Sequence, residues 1–195
     1  MNKQLILIWV FLFLNFLTGD EISGSRETAI THAIERVGPA VASINVEQHI
    51  SSVSFDPFFG FMYPREIYPM KSSGSGVVIS PDGFVMTNHH VIENADKISV
   101  TLSGGSEYEA EIVGSDVTSD LALLKLDGSD FPYAELGSSE DLIIGEWVIA
   151  LGNPFQLFSI SNKPSASVGI ISAINMDFGR LKSGKVFQDM IQTDA

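Results

Sequence analysis

The chain has 195 residues and no cysteine, and its 24 acidic residues outnumber its 11 lysines and arginines to give a formal net charge of −13. This length is enough for one substantial domain or two small ones. The negative charge argues against nucleic acid as a partner, and the lack of cysteine excludes disulfides, a thiol nucleophile and cysteine metal ligands.

The N-terminus has the features of an export signal. Lys3 is followed by an apolar run of 13 residues, 5–17, and then by the small or polar residues Thr18 and Gly19. A helix that spans a bilayer needs about 20 apolar residues, so this run is short for an anchor. We predict a signal peptide over residues 1–19, with an uncleaved membrane anchor as the alternative because no A-x-A site follows. An exported chain without disulfides fits the bacterial periplasm or cell envelope.

A short amphipathic helix and a first strand are predicted next. Apolar residues recur at helical spacing from Ala29 to Val37, with Ser25 as the predicted N-cap and Gly38-Pro39 as the stop signal. Residues 41–47 then alternate between apolar and polar side chains, which predicts a strand.

Residues 55–70 are rich in proline and aromatic side chains. Proline cannot donate to a strand ladder, so we predict a loop here. The aromatic residues that need cover are Phe55, Phe58, Phe59, Phe61 and Tyr63. Two interpretations are open. Either the loop folds back over its own domain, or it stays exposed as an oligomer contact or a sticky surface for unfolded polypeptides.

From Gly74 onward the pattern is that of β-structure. The turn signals SPDG and SGGSE predict two hairpins among the strands GSGVVIS, FVMTNHH, ISVTL and YEAEIVG. LALLKL, at residues 121–126, is apolar almost throughout and predicts a strand buried on both faces. After a polar connection at residues 127–141, GEWVIALG and SASVGIISAI predict two further strands.

The adjacent residues His89 and His90 end one of these predicted strands. Neighbouring side chains on a strand face opposite sides, so only one histidine can face a given cleft, and a metal site shared by the pair is disfavoured. A histidine that acts as a catalytic base needs a carboxylate to hold its Nδ1–H, and Asp120 is the candidate. The alternative is that Asp120 merely ends the turn SDVTSD.

Taken in order, TNHHVIENADKISVTL, SDLALLKL, LGSSEDLIIGEWVIALGNPF and SVGIISAI closely resemble the HtrA/Deg family of trypsin-like serine endopeptidases, over residues 25–195. The resemblance implies an all-β fold, the chymotrypsin-like double β-barrel. It also implies that His90 is the general base, that Asp120 is its carboxylate partner, and that His89 occupies a variable position.

The family's nucleophile is a serine within G-N-S-G-G, a few residues after a segment like QTDA. We expect that serine beyond Ala195, so that the sequence is a fragment. No upstream serine is a credible substitute. Ser75 is interpreted as structural, in a Gly-Ser-Gly triplet that needs small residues at a close approach, and Ser167 lies in a later strand pattern.

The resemblance divides the chain into a signal peptide (1–19), an N-terminal barrel with the lead-in helix and the aromatic loop (20–135), and the start of a C-terminal barrel (136–195). A barrel of this type closes with roughly six strands, and about half that number of strand patterns follow residue 136. On this basis the chain is expected to aggregate or stay partly molten when it is expressed alone.

The resemblance also implies a function. The expected activity is the cleavage of unfolded or misfolded envelope proteins by a Ser-His-Asp triad, without metal or cofactor, in a homotrimer or higher oligomer. Any membrane association is expected through the N-terminus. Two alternatives stay open: a non-catalytic pseudoprotease that binds unfolded polypeptides like a chaperone, and a structural envelope protein in which the His-Asp pair is incidental.

Overall fold

A computed structural model describes residues 26–153, 163–180 and 184–195, with the backbone alone for residues 50–55 and 63–68. The predicted signal peptide and Ser25 lie outside the described residues. Across the described ranges, no helix combines the length and the apolar character needed to cross a membrane.

The described residues are mainly β-strands, which confirms the all-β prediction. In chain order the elements are α1 (Ala29–Val37), a 3-10 turn (Gly38–Ala40), β1 (Val41–Asp56), β2 (Phe61–Val78), β3 (Phe84–Asn88), α2 (His89–Ile92), β4 (Lys97–Leu102), β5 (Glu107–Asp116), β6 (Leu121–Leu126), β7 (Trp147–Gly152), β8 (Ser165–Met176), β9 (Gly179–Arg180), β10 (Val186–Phe187) and β11 (Met190–Thr193).

Helix α1 begins directly after Thr28. The Thr28 hydroxyl accepts a hydrogen bond from the N–H of Thr31 at 3.3 Å, and the Thr31 hydroxyl accepts one from the N–H of Thr28 at 2.8 Å. This reciprocal pair satisfies two backbone donors that a helix start leaves without partners. The helix ends at Val37, directly before Gly38 and Pro39, as the sequence predicted.

Six antiparallel strands close into a barrel in the order β1-β2-β3-β6-β5-β4. β4 pairs with β1 from Ala42–Leu102 to Glu47–Lys97, and this pairing closes the sheet. Closure removes the free edges that an open sheet would expose. The core consists of Ala42, Ile44, Val46, Val78, Val85, Ile92, Ile98, Val100, Leu102, Ala122, Leu124, Leu126 and Phe131.

The prediction of a loop over residues 55–70 is wrong. β1 and β2 continue past the barrel as a two-stranded arm, with a turn between Asp56 and Phe61. Each strand of such a ribbon has one unpaired edge, where the missing N–H of a proline removes no ladder hydrogen bond. The arm therefore accommodates Pro64 opposite Val53 and Pro69 opposite His49.

The end of the arm is exposed and apolar. Phe58, Phe59, Phe61 and Met62 form what we term the aromatic tip, and Phe58 is 87% exposed. The Phe58 and Phe59 rings meet edge to face, with centroids 5.0 Å apart. For these residues the interpretation that the segment folds back over its own domain is wrong. For Phe55 and Tyr63 the structure describes the backbone alone.

The prediction that β6 is buried on both faces is also wrong. Its burial alternates: Ala122, Leu124 and Leu126 are buried, whereas Leu121 is exposed. In a closed barrel only the inward side chains reach the core, so the outward face of a strand is covered only where another element packs on it. The apolar residues on the outward face of β6 gave a false signal of two-sided burial.

The strands β11, β8 and β7 form a second sheet in that order, and β9 pairs with β10. β7 and β8 confirm the two strands predicted after residue 141. The three short strands β9, β10 and β11 were not predicted. The second sheet is joined to the barrel where the N–H of Asn153 donates to the Ser75 hydroxyl at 2.8 Å.

The glycines beside Ser75 lie at a close approach, as the Gly-Ser-Gly triplet predicted. A Cβ added to Gly74 would lie 2.6 Å from either methyl group of Val91. One added to Gly76 would lie 2.9 Å from Ile44 Cδ1 and 3.0 Å from the carbonyl oxygen of Met86. Neither position has room for a side chain.

We expect Gly76→Ala to lower the free energy of unfolding by about 1–3 kcal/mol, because the added methyl group meets a backbone carbonyl of the paired strand. Urea denaturation measures this change. Gly114→Ala, also in a strand, is the matched control because a Cβ there would meet no atom within 4 Å. Equal losses in the two variants would contradict the crowding at Gly76.

Candidate active site

The antiparallel pairing of β3 with β6 brings the two segments of the site together. Asn88, the last residue of β3, pairs with Leu121, the first residue of β6. His89 directly follows Asn88 in the chain, and Asp120 directly precedes Leu121. Residues that are 30 positions apart in the sequence, His90 and Asp120, are therefore in contact.

The two histidines lie at the start of a helix and not on a strand. β3 ends at Asn88, and His89 begins the one-turn helix α2. The prediction that both histidines end a strand is wrong, and alternation along a strand does not explain how they differ. His89 is partly buried, and its Nδ1 has no hydrogen-bond partner among the described residues. His90 is exposed and contacts Asp120.

Asp120 accepts hydrogen bonds at its backbone oxygen and at both carboxylate oxygens. The backbone oxygen accepts from the side-chain amide of Asn88 and from the N–H of His89, each at 3.0 Å. Oδ1 accepts from the N–H of His90 at 3.0 Å, and Oδ2 lies 2.7 Å from His90 Nδ1. Because an ionised carboxylate only accepts, Nδ1 carries the ring proton and leaves Nε2 as the acceptor of the neutral ring.

The turn before Asp120 sets the direction of its side chain. Asp120 has a left-handed backbone with φ of +57°, a conformation in which aspartate is better tolerated than most residues. Asp116 holds the turn, since its carboxylate accepts from the N–H groups of Thr118 and Ser119 and from the Ser119 hydroxyl. Asp120 thus ends the turn, as the simpler interpretation had it, and also contacts His90.

Lys185, which sequence analysis missed, reaches the same carboxylate. Its Nζ lies 2.9 Å from Asp120 Oδ2, and its side chain is only 24% exposed. The N–H of the next residue, Val186, donates to the carbonyl oxygen of Thr118 at 3.0 Å. No local pattern marks Lys185, because the contact joins segments that are far apart in the sequence.

The charges around Asp120 keep it ionised. Burial raises the pKa of the Asp120 carboxyl, but hydrogen bonds from Lys185, from the His90 ring and from the His90 N–H outweigh burial and lower that pKa to about 2. The carboxylate is therefore an anion across the neutral pH range. A neutral imidazole held in this way can accept a proton at Nε2.

Ser75 and Ser167, the two serines upstream of residue 192 that were considered as substitutes, are bonded or paired elsewhere in the fold. The Ser75 hydroxyl accepts from the N–H of Asn153, and the Ser75 carbonyl accepts from the Thr87 hydroxyl at 2.8 Å. Ser167 lies within β8, opposite Ala150. In the part of the chain that the structure describes, no three His, Asp or Glu side chains are grouped closely enough to hold a metal ion.

We expect Asp120→Asn to be less stable than the wild type at pH 7. Since folding lowers the pKa of Asp120, its ionised form stabilises the fold fully above the ordinary aspartate pKa of about 4, and this stabilisation is lost as the pH falls through about 2. The difference in the free energy of unfolding should therefore shrink between pH 4 and pH 2. Urea denaturation at several pH values measures it, with Asp141→Asn as the control for losing an exposed carboxylate. A difference that does not change with pH would contradict the assignment.

The sequence matches known proteases. A family model described as a trypsin-like peptidase domain matches residues 74–195. A protein of Halomonas elongata named "Probable periplasmic serine endoprotease DegP-like" is 36% identical over all of this chain and 44% of its own length. A protein of Chlamydia trachomatis with the same name is 43% identical over 72% of this chain and 28% of its own length. The chain thus spans less than half the length of either relative.

Solved structures show the same likeness. The HtrA-type protease AlgW with a decapeptide matches with a TM-score of 0.66 and 35% identity, over 86% of this chain and 51% of that chain. The same protease with a tripeptide matches with a TM-score of 0.65 and 34% identity, over 86% of this chain and 46% of that one.

Proposed function

Because the chain belongs to the family of trypsin-like peptidase domains and is of the HtrA/DegP type, we propose that it supplies the histidine and the aspartate of a serine endopeptidase. The observation that carries the proposal is the 2.7 Å contact between His90 Nδ1 and the Asp120 carboxylate. The second carboxylate oxygen is held by the N–H of His90, so the ring and its partner are locked in one relative orientation. A general base needs this control of orientation and tautomer.

The proposed mechanism is acyl transfer to a serine. His90 Nε2 takes the proton of the serine hydroxyl as that oxygen attacks the peptide carbonyl, and the resulting imidazolium is stabilised by Asp120. His90 then gives the proton to the leaving amine, and a water molecule hydrolyses the acyl-enzyme with His90 again as the base. Backbone N–H groups near the serine would stabilise the oxyanion. In this scheme Asp120 stays ionised throughout, which agrees with its lowered pKa.

The nucleophile of this proposal is the serine of a G-N-S-G-G stretch that follows residues 192–195. The fold supports that placement because residues 190–194, which the serine would follow, are held by hydrogen bonds to β8. β11 pairs with β8, and Asp194 Oδ1 accepts from the N–H of Ile170 at 2.7 Å.

We keep the proposed division into a signal peptide (1–19), a first barrel with its lead-in helix (20–135) and the start of a second barrel (136–195). It is supported by the positions of the strands, because the closed barrel ends at Leu126 and β7 begins at Trp147. Residues 37–195 make up one compact unit, so this boundary would separate two barrels that are packed together.

The proposed location is the periplasm or cell envelope, and the proposed substrates are unfolded or misfolded proteins. The names of the relatives and the predicted export signal support the location. A homotrimer or a higher oligomer is the assembly that we propose from the family resemblance.

The test is protein cleavage by the product of the complete gene. We expect His90→Ala to lower kcat/KM for casein at least about a thousandfold, because the base is lost. His89→Ala is the matched control and should keep most of the activity, since the His89 Nδ1 has no hydrogen-bond partner among the described residues. Circular dichroism confirms that both variants are folded.

A fluorophosphonate probe gives an independent readout, because it labels only an activated serine. Labelling of the wild type and of His89→Ala, but not of His90→Ala, is the expected pattern. Loss of activity in His89→Ala with retention in His90→Ala would mean that the wrong histidine has been assigned. A wild-type protein that is neither labelled nor active would favour the pseudoprotease.

The aromatic tip favours a second activity, the binding of unfolded polypeptides. Three phenylalanines and a methionine are exposed together at the end of the arm, and exposed apolar patches of this kind mark interaction sites. This activity is compatible with proteolysis, and in the pseudoprotease alternative it would be the sole activity.

We expect a Phe58→Ser and Phe59→Ser double variant to bind permanently unfolded α-lactalbumin about tenfold more weakly, because the anchoring aromatic rings are gone. Fluorescence anisotropy measures the Kd, and Ile112→Ser, which changes an exposed residue on the barrel, is the control. Light scattering checks the assembly. If the double variant dissociates into smaller species with unchanged affinity, the tip is a subunit contact and not a substrate-binding surface.

A further inference from the structure

One oxygen of Asp120 has two nitrogen neighbours. His90 Nδ1 lies 2.7 Å from Oδ2, and Lys185 Nζ lies 2.9 Å from the same atom. A Ser-His-Asp triad requires the first contact only. The Lys185 side chain is largely buried, and a buried ammonium group is costly unless it is paired with an anion. The pairing with Asp120 offsets the cost of burying Lys185, and the triad alone does not require it.

The backbone around Lys185 is fixed on the barrel. The N–H of Val186 donates to the carbonyl oxygen of Thr118, two residues before Asp120. Val186 also pairs with Arg180, and the N–H of Phe178 donates to the carbonyl oxygen of Phe187 at 2.9 Å. These bonds hold the start of β10 against the turn that carries the carboxylate. The ammonium group is thus directed to Asp120 by the fold and not by the flexibility of an exposed side chain.

We propose that Lys185 is a positioning residue that sets the pH range in which His90 works as a base, by sharing the Asp120 carboxylate with it. The inference rests on the proposed function in one respect, the role of His90 as the base. Since both nitrogens contact Oδ2, they lie within about 6 Å of each other, a separation at which two cations repel in a partly buried site. A positive charge on Lys185 therefore opposes a second positive charge on the His90 ring across the shared oxygen.

Lys185 is the ionic partner of Asp120 that can be neutralised by mutation without removing the proposed base, His90. Among the described residues, His90 and Lys185 make the ionic contacts of Asp120. The carboxylate of Asp116, on the same turn, is bound by Thr118 and Ser119. Close by in the chain, His89 and Glu93 lie on either side of His90, and Arg180 and Asp189 lie on either side of Lys185. Lys182 is outside the described residues.

The first test follows the protonation of His90 by NMR and does not depend on catalysis. The protein carries 15N-labelled histidine, and the His90 ring signals are identified by their loss in His90→Gln. We expect both neutral variants, Lys185→Met and Lys185→Gln, to take up the His90 proton at higher pH than the wild type, and Lys185→Arg to behave like the wild type. Lys71→Met, which removes a surface partner of Glu47, is the matched control and should have no effect.

The second test is the pH profile of peptide cleavage by the full-length protein. In both neutral variants we expect the ratio of kcat/KM at pH 6 to that at pH 8 to fall about threefold or more, because more of the base is protonated at pH 6. Lys185→Arg should restore the wild-type ratio. A residue that only stabilised the fold would lower activity at both pH values alike.

Two results of the NMR test would overturn the proposal. Unchanged His90 titration in the neutral variants overturns the proposal, and so does a change in Lys185→Met with wild-type behaviour in Lys185→Gln, because hydrogen bonding and not charge would then be responsible. If Lys185→Met does not fold, Lys185→Gln alone decides, since glutamine keeps a donor for Asp120. A wild-type protein without proteolytic activity would refute the proposed function and leave the NMR test of Lys185 in force.

Discussion

A carboxylate that is almost excluded from water must have its charge compensated, and the site depends on how this is done for Asp120. An unpaired buried carboxylate costs several kcal/mol, whereas this one accepts hydrogen bonds at both oxygens. The donors come from the start of α2 and from the segment before β10. The pairing of β3 with β6, the one-turn helix and the β9–β10 pair therefore all contribute to one ionised group.

The parts of this arrangement that follow from local patterns could be predicted, and the parts that depend on tertiary contacts could not. The hairpin turns, the paired strands around them and the contact expected for His90 and Asp120 all had sequence signals. The one-turn helix at His89 did not, because four residues are too few to show a helical period. Lys185 carries no signal, since only the fold brings it to Asp120.

Two of the wrong predictions, the loop at residues 55–70 and the two-sided burial of β6, share a physical cause. Proline between residues 55 and 70 was interpreted as excluding strands, and the apolar residues of β6 were interpreted as burial on two faces. Both inferences assume an extended sheet with partners on every side. In this molecule the arm has one partner per strand, and the barrel has one inner face, so the cost of a proline and the burial of a leucine differ from those in a large sheet.

The arm and the site are held by different interactions, and this separates what they can do. β4 pairs with β1 as far as Glu47, and the next two residues, Gln48 and His49, hydrogen-bond to Glu93 and Asp96. Beyond His49 the described backbone of the arm is paired within the β1–β2 ladder. The aromatic tip lies at the far end of this ladder, so a change there would have to pass along the arm before it reached the barrel. The position of Asp120 depends instead on β3, β6 and the segment of Lys185. A partner bound at the aromatic tip therefore lies beyond these contacts, whereas a partner bound near Gln48 or near the Lys185 segment would touch residues next to the site.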